Sequence, residues 1–353
     1  MIEDLDLSKG QAGLIAGANF AGYLAGALAA ASPRLPGSTR RWMVWSLAVS
    51  AITTGAMGLV DGLAWFISLR FIGGAASAFV LVLASTLVLE RLSAARRGDL
   101  AAWHFAGVGT GITISALLIW VLQSVDFGWR WMWLGGGIIS LAAVFAVGAL
   151  VPGAAEPRTV SERALSVPSS PRFLTLIIAY GLFSFGYVIT ATFIVAIVRG
   201  SPEARPLEYV VWLLFGLSAI PSVAAWSAIG RRSGVLKAFA LACFVEAIGI
   251  LASVIWLNVP GLLVAAAFLG GTFMGITALG LIAARTLAQG NARRALARMT
   301  AAFGLGQAIG PVMAGYAFDI TGNFFLPSLL AAIGLCIAMI LALHISRGVA
   351  IGT

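Results

Sequence analysis

The sequence predicts an all-α protein that crosses a membrane many times. Hydrophobic residues make up 60% of the 353 residues, whereas Asp, Glu, Lys and Arg together make up 10%. The mean hydropathy is +1.00, and a water-soluble chain carries about 25% charged residues. The apolar residues form continuous runs of the length that a helix needs to cross a bilayer. Because strands of a membrane barrel would alternate apolar and polar residues, continuous runs predict helices.

Eleven such runs can be counted along the chain. They cover about residues 11–32, 42–60, 62–89, 101–123, 130–151, 173–198, 209–230, 237–257, 260–284, 299–318 and 325–345. The longest hydrophilic segment, 152–172, lies between the fifth and the sixth run and is rich in Pro, Ser and charge. We therefore predict an N-terminal bundle of five helices in residues 1–151, a cytoplasmic linker in 152–172, and a C-terminal bundle of six helices in 173–353.

The basic residues predict the orientation of the helices. Seventeen of the 22 Lys and Arg residues lie in alternate loops that start after the first run, four lie in the loops on the other side, and Arg70 lies inside a run. Because basic loops stay in the cytoplasm, we expect a cytoplasmic C-terminus and an outside N-terminus in a cell inner membrane. An outside N-terminus and an odd number of helices predict one further helix before Met1, which would give six plus six helices.

Repeated small residues support a division into two related halves. The third run contains Phe71-Ile72-Gly73-Gly74, and the ninth run, six helices later, contains Phe268-Leu269-Gly270-Gly271. Five pairs of glycines also recur four residues apart, a pattern that allows close packing of membrane helices. These pairs are Gly13/Gly17, Gly22/Gly26, Gly107/Gly111, Gly271/Gly275 and Gly306/Gly310.

Short segments along most of the chain resemble the major facilitator superfamily, and more narrowly its YbfB/YjiJ-type branch. The residues that carry the resemblance are Gln11-Ala12-Gly13, Asn19, Gly22-Tyr23-Leu24-Ala25-Gly26, Arg70-Phe71, Ser77-Ala78-Phe79, His104-Phe105-Ala106-Gly107, Trp129-Arg130, Tyr180-Gly181, Gly186-Tyr187, Ala191-Thr192-Phe193, Gly306-Gln307 and Gly310-Pro311.

This resemblance implies a major facilitator fold of two helical bundles, alternating access and no catalytic chemistry. Relatives carry a membrane helix before the segment that resembles residues 1–13, in agreement with the charge distribution. The segment 33–41 lacks the Asp that the superfamily usually has in that loop, and 107–111 lacks the Pro of drug antiporters. The resemblance therefore implies neither a charge-pair gate on that Asp nor drug antiport.

Three ionisable residues in apolar runs are functional candidates. Arg70 shares a helical face with Phe66, Gly73 and Gly74, so it is predicted to point into the bundle and to contact an anionic or polar group of a substrate. Glu246 is the only carboxyl deep in a run, and His104 lies near the start of another. Glu246 and His104 are therefore candidates for proton coupling. For Arg70, Glu246 and His104 alike, the alternative is a structural hydrogen bond.

Polar side chains in other runs are predicted to contact the substrate. Asn19 and Tyr23 share a face of the first run, Tyr187 lies on the sixth, and Gln307 lies in the middle of the tenth. The alternative for these residues is hydrogen bonding between helices or, for Tyr, anchoring at the membrane surface.

The same composition argues against several other functions. The cysteines, Cys243 and Cys336, lack metal-ligand spacing, and the two His are far apart, so neither a metal nor a cofactor is expected. No phosphate-binding Gly-rich motif is present, and the basic residues follow the membrane rule, so no nucleic acid is expected. We predict a monomeric secondary transporter of a small organic solute that uses protons. A non-transporting fragment, if translation starts at Met1, and an integral-membrane enzyme are the alternatives.

Overall fold

The computed structural model describes residues 1–2, 4–32, 35–97, 100–151, 170–287 and 292–350. In these residues there are eleven α-helices and no strands. The helices are α1 (Lys9–Ala30), α2 (Thr39–Ala56), α3 (Leu63–Ala94), α4 (Ala101–Ser124), α5 (Trp129–Leu150), α6 (Pro171–Arg199), α7 (Glu208–Ser233), α8 (Val235–Ile255), α9 (Val259–Leu287), α10 (Ala292–Thr321) and α11 (Phe325–Ala350). A short 3₁₀ turn, Arg205–Leu207, precedes α7.

Each predicted apolar run overlaps one of these helices, so the prediction of an all-α polytopic protein is confirmed. Among the described helices, all but α2 and α10 are long and apolar enough to cross a membrane. The main difference is at α10, which begins seven residues before the predicted run. Its first turns contain Arg294 and Arg298. Charged residues end an apolar run in the sequence, but they do not end the helix, which continues beyond the membrane into water.

The helices pack as two groups. In the first group α1 packs on α3, and α2 packs on both α3 and α5. In the second group α7 and α8 pack on α9, while α6 and α8 pack on α11 and α10 packs on α6. Two long contacts join the groups, α1 with α10 and α4 with α7. This arrangement agrees with two helical bundles. The exact boundaries stay a prediction, because residues 152–169 of the predicted linker lie outside the described residues.

Helix α1 lies between α3 and α10, and glycines make both approaches possible. A Cβ atom at Gly22 would lie 2.0 Å from the carbonyl oxygen of Phe71 in α3. At Gly17 it would lie 2.8 Å from the carbonyl oxygen of Ala308 in α10. Both distances are too short for a side chain, so the backbones themselves are in contact. The predicted packing role of the first two glycine pairs is confirmed.

The repeated Phe-x-Gly-Gly segment has the same role in both bundles. A Cβ atom at Gly74 of α3 would lie 2.0 Å from the carbonyl oxygen of Asn19, and one at Gly270 of α9 would lie 2.1 Å from that of Phe215. Each repeat therefore holds α3 or α9 against the helix two positions earlier in its own bundle.

Candidate functional site

Helix α10 lies at the junction of the two bundles and contacts a helix of each. One face packs on α1, where Gly304 meets the side chain of Leu24. A second face packs on α6, where a Cβ atom at Gly306 would lie 2.6 Å from the carbonyl oxygen of Gly181. Side chains of α10 between these two faces are therefore held at the boundary between the bundles.

An aromatic cluster surrounds Tyr187 of α6 at this boundary. Its ring is 5.3 Å from that of Phe183, 5.7 Å from that of Phe273 in α9, and 6.0 Å from that of Phe303 in α10. The planes of the three neighbours are within 25° of the Tyr187 plane. Nearly parallel rings at these distances stabilise one another, and they present flat apolar walls.

Two buried polar atoms, one in this cluster and one on the next turn of α6, have no hydrogen-bond partner among the described residues. The side-chain amide of Gln307 donates to the Tyr187 hydroxyl, but Gln307 Oε1 is buried and accepts no hydrogen bond from any described residue. The hydroxyl of Thr190, one turn after Tyr187, also has no hydrogen-bond partner among the described residues. A buried acceptor without a partner costs about 1–3 kcal/mol. Such atoms indicate a place where a water or a ligand binds.

Tyr23 of α1 lies within electrostatic range of both Tyr180 and Tyr187 of α6. Of the predicted substrate residues, the structure brings Tyr187 and Gln307 into direct contact.

Glu246 of α8 lies in the interior of the C-terminal bundle. Its side chain is fully buried, and it is within electrostatic range of Tyr187. Neither carboxyl oxygen has a hydrogen-bond partner among the described residues. The neighbouring Thr272 hydroxyl already donates to the carbonyl oxygen of Phe268, at 2.6 Å. Because an unpaired buried charge is costly, gain or loss of a proton at Glu246 changes the free energy of this part of the C-terminal bundle.

The other predicted residues of the N-terminal half, Arg70, His104 and Asn19, make their contacts within the N-terminal bundle. The guanidinium of Arg70 lies over the ring of Trp133 in α5, 5.4 Å from its centroid. His104 Nε2 is 2.9 Å from Ser85 Oγ, which links α4 to α3. The backbone carbonyl oxygen of Asn19 in α1 packs against Gly74 of α3. The contacts found for Arg70 and His104 are therefore separate from the Tyr187 cluster, and His104 is separate from Glu246.

A carboxylate that does not stand out in the sequence joins the bundles at one end of the α1–α10 contact. Asp319, near the end of α10, accepts hydrogen bonds from Ser8 Oγ at 2.7 Å, from the Lys9 backbone N–H at 3.0 Å and from the Gly10 backbone N–H at 2.8 Å. A negative charge at a helix N-terminus is favourable. Asp319 therefore caps α1 from the opposite bundle.

This arrangement of two bundles around an unpartnered polar group can be compared with known proteins. A family model described as "Uncharacterised MFS-type transporter YbfB" matches residues 1–343. The chain belongs to this family. The resemblance found in the sequence is thus confirmed, and the protein is a multi-pass membrane transporter of the major facilitator superfamily rather than an enzyme.

Comparison with solved structures supports the fold. The chain is similar to a crystal structure of a mutant of the nucleoside transporter NupG, with a TM-score of 0.72 and 12% sequence identity. The match covers 98% of this chain and 92% of that chain. No curated protein matches the sequence. At this identity the likeness establishes the major facilitator fold alone.

Proposed function

We propose that this protein is a secondary active transporter that moves a small organic solute by alternating access and couples the movement to protons. The observation that carries the proposal is the Tyr187 cluster. It combines flat aromatic walls with the unpartnered Oε1 of Gln307, and it lies at the bundle boundary, where transporters of this kind bind their substrates. The solute would place an N–H or O–H group on that oxygen.

The contacts between the bundles support alternating access. The main contacts between the bundles in the described residues are those of α1 with α10 and of α4 with α7, and small residues such as Gly17 and Gly109 form these contacts. Smooth backbone contacts allow one bundle to rock against the other around a fixed central site. The proposal includes a monomer in the inner membrane with the arginine-rich ends and the C-terminus in the cytoplasm.

Glu246 is the proposed proton carrier. Its buried carboxyl is within electrostatic range of Tyr187, so binding of a proton would change the electrostatic field at the hydroxyl that accepts the hydrogen bond of Gln307. His104 is a second candidate, in the N-terminal bundle. Arg70 and Asn19 stay proposed substrate contacts on the N-terminal side, and we expect Arg70→Ala to abolish uptake.

The substrate test is uptake of a solute panel by the purified protein in proteoliposomes. Nucleosides belong in the panel, because NupG is a nucleoside transporter of the same fold and nucleobases stack on aromatic rings. For the solute that is transported, Gln307→Leu should reduce uptake by about 5- to 150-fold, as expected for a lost hydrogen bond of about 1–3 kcal/mol. Gln123→Leu is the matched control, since Gln123 Oε1 is also buried and unpartnered among the described residues but lies near the end of α4. Equal effects of the two variants would refute the proposed site.

The coupling test separates solute movement from proton movement. Glu246→Gln keeps the size of the side chain but cannot exchange a proton, so accumulation driven by a pH gradient should fall to the level without a gradient. Exchange of internal for external solute should continue, because it needs no net proton transfer. The exposed Glu203 provides the control Glu203→Gln. If Glu246→Gln still accumulates solute under a pH gradient, Glu246 is not the proton carrier.

A further inference from the structure

A cavity of about 240 Å³ lies between the beginning of α2 and the end of α5, away from the Tyr187 cluster. Its lining residues are Ser38, Arg40, Arg41, Val44, Trp45 and Gly148. Two of the six carry a guanidinium and none carries a carboxyl, so the cavity is positively charged. The transport mechanism proposed above makes no use of it.

The two arginines of this cavity differ in how they are held. Arg40 Nε donates to the carbonyl oxygen of Val151 at 2.6 Å, and Arg40 Nη2 donates to that of Gly148. These bonds fix Arg40 on the last turn of α5. Arg41 is exposed, and its side chain makes no hydrogen bond or ion pair with any described residue. Its backbone N–H donates to Ser38 Oγ, which caps α2. The cavity therefore holds one fixed and one unpaired guanidinium beside a helix N-terminus, a combination that favours a phosphate group.

An apolar stripe leads from this cavity along the outer face of α2. Trp45, Val49 and Ile52 follow Arg41 at helical spacing, and their exposed fractions are 66%, 37% and 65%. In a membrane protein, apolar side chains exposed on the outer surface face lipid tails, and Trp is enriched where the tails meet the headgroups. The ligand of the cavity is thus expected to have an anionic head and an apolar tail.

We propose that this cavity binds the phosphate headgroup of an anionic phospholipid, with an acyl chain along Trp45, Val49 and Ile52. The occupant is a lipid rather than a free phosphate because the charged cavity and the apolar stripe are continuous on one face of α2. Basic residues at a membrane surface attract anionic lipids. Here the hydrogen bond from Arg40 to Gly148 fixes the position of one guanidinium that would contact the headgroup.

The experiment is native mass spectrometry of the full chain in detergent, titrated with phosphatidylglycerol or phosphatidylcholine of the same acyl chains. Phosphatidylglycerol should bind first and more tightly. Arg41→Ala should weaken that binding about fivefold, the effect expected for one basic residue near anionic lipid. Trp45→Ala should also weaken it without a change of charge. The control is Arg231→Ala, since Arg231 is an exposed arginine at the end of α7. This variant should bind lipid like the wild type.

Three results would overturn the proposal. The first is equal binding of the two lipids by the wild type, and the second is an equal effect of Arg41→Ala and Arg231→Ala. The third is submillimolar binding of inorganic phosphate alone that Arg41→Ala removes, which would assign the cavity to the free ion. Size-exclusion profiles of all variants check that they are folded. Because no step measures transport, the result does not depend on the proposed function.

Discussion

Helices α4 and α10 take equivalent places in the two bundles, yet only α10 is packed on both sides. Each contacts the opposite bundle, α4 through α7 and α10 through α1. Gly306 and Gly310 of α10 also pack closely on α6. The corresponding pair in α4, Gly107 and Gly111, has nothing within 4 Å among the described residues. Within its own bundle α4 is thus weakly held.

The last helices of the two bundles differ in the same way. Within its most apolar stretch, α5 has 6% of its residues buried and α11 has 44%. Phe145 and Leu150 of α5 are 72% and 79% exposed, whereas Leu335 and Ala338 of α11 are fully buried. Helix α11 packs on α6, and in the described residues α5 has no neighbour in the equivalent place. The contrast indicates that packing on α6 is what buries α10 and α11 in the C-terminal core.

Separation of the two halves is expected to give the largest effect. Residues 170–353 expressed alone should form a monodisperse helical protein in detergent, because six of the described helices bury an extensive core there. Residues 1–151 alone should aggregate, since α4 loses α7 and keeps few contacts. Size-exclusion chromatography and circular dichroism measure both outcomes.

The opposite pattern would contradict this comparison. A stable fragment 1–151 would mean that α4 packs within its own bundle in a way that differs from the structure. Co-expression of the two fragments is the control, because it should restore α4 through its contact with α7.

The glycine pairs should give the next largest effect. A Cβ atom at Gly306 would lie 2.6 Å and 2.8 Å from backbone atoms of α6, which cannot move aside as a side chain can. Gly306→Ala should therefore destabilise the protein by about 1–3 kcal/mol, the usual cost of overpacking. Gly107→Ala meets nothing among the described residues, and should stabilise α4 by up to about 1 kcal/mol because Ala favours a helix more than Gly does. Unfolding curves in a denaturing detergent compare the two.

This pair of variants also tests whether the face of α4 is covered in the membrane. If Gly107→Ala destabilises the protein as much as Gly306→Ala does, another helix packs on Gly107 and Gly111 there. The difference between α4 and α10 would then disappear.

The helices could be predicted from the sequence because a run of about 20 apolar residues, coiled as a helix, matches the thickness of the hydrocarbon core of a bilayer. The spacing of the glycine pairs predicts helix packing less well. In three pairs both glycines lie at close contacts, and in a fourth Gly275 does. The predicted packing of Gly107 and Gly111 is wrong for the described residues, where Gly109 packs on α7 instead. A pair four residues apart marks a face that can be packed, and the partner of that face is decided by the arrangement of the whole bundle.

The candidate site was only partly predictable for a related reason. Tyr187 and Gln307 stand out as polar residues in apolar helices, whereas Phe273 and Phe303 are two of 20 phenylalanines. Which of these rings meet Tyr187 depends on the rotation of α9 and α10. Arg70 was expected to point into its bundle, and its neighbours Gly73 and Gly74 do face α2 and α1. The sequence could not show that Trp133 covers its guanidinium.

The cap that Asp319 forms on α1 should give the smallest effect, and it joins the two unequal bundles. Asp319→Ala removes the acceptor of three hydrogen bonds at the start of α1, a loss of about 1 kcal/mol by comparison with other helix caps. Since the bonds cross the bundle boundary, the variant should shift the population towards a form that is open at this end, about fivefold. Spin labels at the exposed Leu59 and Glu203, one in each bundle, would measure the distance distribution by pulsed electron paramagnetic resonance.

Asp61 provides the matched control for this measurement. It bonds Arg130 at 2.6 Å and 2.7 Å, so its ion pair lies within the N-terminal bundle. Asp61→Ala should therefore leave the distance between the bundles unchanged. If both variants shift the distribution equally, the cause is the loss of surface charge. If only Asp319→Ala shifts it, one carboxylate at the end of α10 sets how readily the bundles separate there.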